Sequence, residues 1–91
     1  GWQPRHPALP IPARLTVFVV AFKAKPEAPW SVYKCKRSGE ITFDLYRACH
    51  EARRLCREGY VESKVMKGEE EVAKFSRSAT GNVTQLGGVD L

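Results

Sequence analysis

The residues of this chain best suited to chemistry are three cysteines, Cys35, Cys49 and Cys56, and two histidines, His6 and His50. Cys49, His50 and Cys56 fall in one stretch of helical periodicity, and that spacing argues against a shared metal. Seven helical residues part the two sulfurs by about 10.5 Å of axial rise, whereas zinc holds each sulfur within about 2.3 Å. The same separation exceeds the roughly 7 Å between Cα atoms that a disulfide tolerates. His50 projects about 100° away from Cys49 on the helical wheel. Both cysteines are therefore expected as small buried hydrophobes. Neither histidine has a Ser or Cys at a spacing that would assemble nucleophile, base and orienting group. The Gly87-Gly88 pair precedes no helix and so cannot open a phosphate loop. The expectation is a protein that binds rather than transforms, with no catalytic residue, no metal ligand and no cofactor.

Binding chemistry is better represented. The chain carries a net charge of +5, and the excess is localised. Between Gly1 and Gly39 there are seven Lys or Arg against the single acid Glu27, while the remainder holds eight bases and nine acids. Such a balance favours an anionic partner, either nucleic acid or an acidic protein surface. Two groups of residues are candidates for that contact. On the helix, Tyr46, Arg53, Arg54 and Arg57 fall with His50 on one flank of the wheel beside Arg47, where the guanidinium fork suits phosphate or carboxylate. The alternative for Arg47 and Arg54 is ion pairing with Glu51 and Glu58 on a solvated face. On a strand, alternation sets Trp30, Val32, Lys34 and Lys36 on one face, with Arg37 on the other, which suits a surface that stacks bases and tracks phosphates. Lysines that guard a sheet edge against aggregation explain the same pattern without a ligand.

The elements that must position these residues are legible from periodicity. Residues 1–13 contain Pro4, Pro7, Pro10 and Pro12, a density that forbids helix and makes an extended arm, with Leu9 and Ile11 free to pack on the domain. Arg14 to Lys25 is β-branched and aromatic and reads as a strand, returning through a Pro-containing loop into a second strand from Trp30 to Arg37. Leu45, Ala48, Cys49, Ala52, Leu55 and Cys56 form one apolar helical stripe, giving a helix from Phe43 to Glu58 with Thr42 as N-cap and Gly59 at its C-terminus. Tyr60 to Met66 reads as a third strand. Residues 69–77 suit either a short helix or a fourth strand, and the strand is preferred because two strands alone make no stable sheet. Ser78 to Leu91 is rich in small polar residues and reads as a flexible tail.

The fold class expected is α+β: a small antiparallel sheet of about four strands in the order β-β-α-β-β, with one amphipathic helix on one face. The domain spans 14–77, between the arm at 1–13 and the tail at 78–91. Because the first strand is apolar on both sides and one helix covers one face, the other face requires a cover: the arm, a second copy in a homodimer, or a heterologous partner. An odd number of cysteines suits a reducing compartment, so the cytoplasm is expected. The longest apolar run, Leu15 to Phe22, is far short of the roughly 20 residues of a membrane span. The leading functional expectation is a small basic regulatory or adaptor module that binds nucleic acid or a nucleic-acid-handling assembly such as transcription machinery. The alternative is a protein interaction domain that docks an acidic or apolar partner through the first strand and the adjacent sheet surface.

Overall fold

The computed structural model describes residues 12–89. The expected arm therefore lies outside the described residues, apart from Pro12 and Ala13. The described chain adopts an α+β fold in the order β1 (Val19–Lys23), β2 (Ser31–Val32), α1 (Leu45–Glu58), β3 (Glu62–Lys67), β4 (Glu70–Arg77) and β5 (Val83–Gly88). The strands form one fully antiparallel sheet in the spatial order β2-β1-β3-β4-β5, and α1 packs on one face of it.

The helix forms where the apolar stripe lies, with Leu45, Ala48, Cys49, Ala52, Leu55 and Cys56 all buried. Its N-cap is Asp44 rather than Thr42: the Asp44 carboxylate accepts the Arg47 N–H at 2.7 Å, satisfying a donor with no partner inside the helix. At the other end Gly59 adopts φ 123°, and its N–H turns back on the last carbonyls. Arg77 of β4 donates from Nη1 to the Cys56 and Arg57 carbonyls, placing a cation at the negative end of the helix dipole.

The core lies between this stripe and the sheet. Phe18, Val20, Val65 and Phe75 are wholly inaccessible to solvent. Among the described residues Ser63 is the one polar side chain with no exposure to solvent, and its hydroxyl donates to the Ala52 carbonyl at 2.6 Å. Cys56 Sγ lies 3.3 Å from the same hydroxyl. All three cysteines are free thiols and all are buried, as expected for Cys49 and Cys56.

Residues 70–77 form a strand, and a β-bulge explains their ambiguous pattern. Ala73 pairs with Val65 and Glu71 with Met66, so Val72 is the extra residue, and both Val72 and Ala73 are buried despite being adjacent. The turn before them is Gly68-Glu69, with Gly68 at φ 60°, the geometry a two-residue hairpin asks of its first position.

Three expectations are corrected. Among the described residues the sheet has five strands, because Val83–Gly88, expected in a flexible tail, pairs with β4. There the glycines bring backbones close together: a Cβ at Gly88 would lie 2.0 Å from the Val72 carbonyl oxygen. The second strand is two residues long instead of eight, since after Tyr33 the chain leaves β1 and closes a loop through Cys35 N–H to Glu40 carbonyl and Gly39 N–H to Cys35 carbonyl. Phe43 then takes the vacated place, exchanging two hydrogen bonds with Phe18. The first strand is also shorter than read, and Leu15 and Val17 precede it at the surface. Among the described residues no element covers the face opposite α1, where Ala21 alone of β1 is buried.

Candidate functional site

The departure of the chain at Tyr33 builds a cleft. It lies between the segment 32–37, the second half of α1 and the Phe22–Tyr60 aromatic pair, whose ring centroids are 4.6 Å apart. Its volume is about 460 Å³, within the range of small-ligand sites. Lys34, Lys36, Arg37 and Arg54 line it, against one carboxylate, Glu58.

A network centred on Glu51 and Arg54 fixes the far wall. Glu51 is buried, and Arg54 reaches it from Nε at 3.1 Å and from Nη2 at 2.6 Å. The same Nη2 donates to the Tyr33 hydroxyl at 3.0 Å, and Nη1 pairs with Glu58. Burial works to raise the Glu51 pKa, but hydrogen bonds from Arg54 and Tyr33, with the charges of Arg54 and Arg47, bring it below the usual carboxylate value. Tyr33 is pushed up to about 12, first by burial and then by its hydrogen bond to the Glu51 carboxylate. Arg54 is raised above its ordinary value, chiefly by the Glu51 hydrogen bonds. The network thus ties Tyr33, and with it the loop beyond, to the helix.

Cys35 sits at the start of that loop. The Ser38 hydroxyl, the Ser38 and Arg37 backbone N–H groups and the Arg47 charge outweigh burial and lower its thiol to about 7. Arg47 Nη2 lies 3.6 Å from the sulfur. Burial raises the thiols of Cys49 and Cys56 instead. Among the described residues no group of three or more His, Cys, Asp and Glu is placed to hold a metal ion.

The structure divides the residues singled out from sequence. Lys34, Lys36 and Arg37 come together on the cleft, and among the described residues none has a carboxylate within ion-pairing distance. Arg54 lines the same cleft but its charge is met by Glu51 and Glu58, and Arg47 faces Glu51 at 3.8 Å. Those two arginines adopt the ion-paired alternative. Arg53 lies over the Phe75 ring at 4.9 Å, on the flank away from the cleft, and Tyr46 and Arg57 are exposed on the helix. The helix flank is therefore not one continuous cationic stripe. Trp30 does not share a face with Lys34: its ring lies beneath Lys64 and Lys23, on the opposite side of the sheet.

Sequence reasoning missed Tyr33, Phe22 and Tyr60 as cleft walls, and Lys23 and Lys64 as neighbours of Trp30. Only the hairpin register could have revealed the latter, since Phe22 pairs with Ser31 and so sets Lys23 beside Trp30. Comparison with protein families, curated proteins and solved structures finds no match for this chain. Among the described residues no helix is long and apolar enough to cross a membrane.

Proposed function

We propose that this chain is a non-enzymatic binding module for single-stranded nucleic acid, with the cleft beside α1 as its phosphate contact. One observation carries the reading: Lys34, Lys36 and Arg37 converge on a single concavity, and among the described residues none of them has a carboxylate within ion-pairing distance, the cleft's own Glu58 being paired with Arg54. Unpaired cations attract polyphosphate by releasing its counterions. The aromatic walls of Phe22, Tyr33 and Tyr60 suit bases that are free to splay from their stack. A duplex displays its bases only within its grooves, which a protruding element must enter; a cleft cannot.

Titrating a labelled oligothymidylate between about 50 and 200 mM salt tests this, since single-strand affinity falls with a slope near −0.7 per phosphate neutralised. Replacing Lys34, Lys36 and Arg37 together by Ala should weaken binding and reduce that slope by about 2. Absence of binding at the low-salt end, or an unaltered slope in the triple variant, sinks the proposal and leaves an acidic protein partner as the reading to pursue.

A further inference from the structure

Outside the cleft, a second group combines an aromatic ring with two lysines. Lys64 Nζ stands 4.1 Å and Lys23 Nζ 4.9 Å from the centroid of the half-buried Trp30 ring. Register explains the grouping. Ala21 pairs with Val32 on one side and Lys64 on the other, and Lys23 continues the same face of β1. On the next strand Lys74 is held by Glu62 at 3.3 Å, but among the described residues neither Lys23 nor Lys64 has a carboxylate within ion-pairing distance. Glu62, opposite Lys23 in the ladder, is thus engaged by Lys74, and the two ammonium groups share the indole, with Lys23 Nζ also 3.5 Å from the Pro26 carbonyl oxygen. The chain runs from Trp30 through β2 directly to Lys34, about 13 Å along an extended backbone. Among the described residues β2 is the outermost strand of the sheet on this side, so none of them separates the Trp30 face from the cleft at this edge.

We infer that Trp30, Lys23 and Lys64 form a second contact for the same single strand: the indole stacks one base, and the two ammonium groups take its neighbouring phosphates. The strand reaches this contact from the cleft by passing around the outer edge of β2. This rests on the nucleic-acid reading of the cleft. Cation–π contacts at exposed positions are weak, so each ammonium can exchange the ring for a phosphate oxygen as the base arrives. The separation of about 13 Å corresponds to roughly two to four nucleotides, given about 3.4 Å per stacked nucleotide and more when extended.

A Trp2→Phe background leaves Trp30 as the sole indole. In it, labelled oligothymidylate is followed by anisotropy while Trp30 fluorescence is recorded in the same titration. Quenching that saturates together with anisotropy is expected. Trp30→Ala should weaken binding roughly fivefold to a hundredfold with the salt slope unchanged, because stacking and not phosphate contact is lost. Lys23→Ala with Lys64→Ala should lower the slope by about 1.4. Trp30→Phe retains a ring, so it should keep most of the affinity and serves as the control should the Ala variant misfold. Salt-dependent binding with an unquenched Trp30, or with Trp30→Ala equal to its parent, overturns this inference and leaves the cleft reading intact. No binding at low salt overturns both.

Discussion

Replacing Glu51 by Gln keeps the shape of the side chain and removes the charge at the centre of the Tyr33–Arg54 network. Glu51 is only 7% exposed, and its Oε2 accepts two bonds from Arg54. Hydrogen bonds to charged groups contribute about 1.5–3 kcal/mol against about 0.5–1.5 for neutral ones. The loss of charge assistance thus comes to roughly 1 kcal/mol per bond, partly offset because a neutral amide costs less to bury than a carboxylate. A third of the Arg54 side chain is open to water, which screens the interaction further. The expected destabilisation is about 1–2 kcal/mol near neutral pH, or a fall in Tm of roughly 4–15 °C for a domain of this size. The pH dependence is the sharper check. The folded Glu51 pKa lies below its unfolded value, so its contribution is complete above the unfolded pKa and disappears as pH falls through the folded one. Denaturant unfolding of both proteins should therefore differ at pH 7 and converge in acid. The Tyr33 titration, followed by ultraviolet absorbance, should also move down from about 12 in the variant. Equal midpoints at pH 7, or a gap unchanged into acid, would refute the reasoning.

Gly88→Ala should destabilise the fold by about 2 kcal/mol or more, since its Cβ would meet the Val72 and Ala73 backbone at 2.0 to 2.7 Å and Gly88 sits at φ 97°. Gly87→Ala, with nothing within 4 Å of the added carbon, is the control, and equal melting temperatures for the two would show β5 detached from β4. Cys35 should titrate near 7 by thiolate absorbance, well before Cys49 and Cys56, and Ser38→Ala should raise that midpoint. Because the folded thiol pKa is depressed, the stability Cys35 contributes is present in alkali above about 9 and lost as pH falls through about 7; a lone midpoint near 9 would contradict the loop geometry.

The helix was legible because its signal is local: six apolar residues at helical spacing, closed by Gly59, decide its buried face and its C-terminal end, while its start falls two residues later than Thr42 as a cap implied. The α+β class came from the β-branched stretches around it. What sequence could not supply was the point at which β2 leaves its partner. Alternation carries Trp30, Lys34 and Lys36 to one face only while the ladder continues, and it stops at Tyr33, whose hydroxyl is held by Arg54 twenty-one positions away. That contact is non-local and has no periodicity to betray it. Ser38-Gly39 is a turn-forming pair, and a loop that closes there on Cys35 requires the strand to end before it. β5 was hidden by its own glycines. Their composition suggests flexibility, whereas their position allows two backbones to approach more closely than a side chain permits.

The brevity of β2 has a consequence for how the molecule behaves in crowded solution. An outer strand ordinarily offers a row of free amide and carbonyl groups on which a neighbouring chain can extend the sheet, the first step of fibril growth. Here that row ends after two residues, and the backbone turns aside into a loop that carries Lys34, Lys36 and Arg37. An incoming strand would find too few rungs to register against and three like charges ahead of it. The same departure that opens the cleft leaves this side of the sheet a poor template for polymerisation.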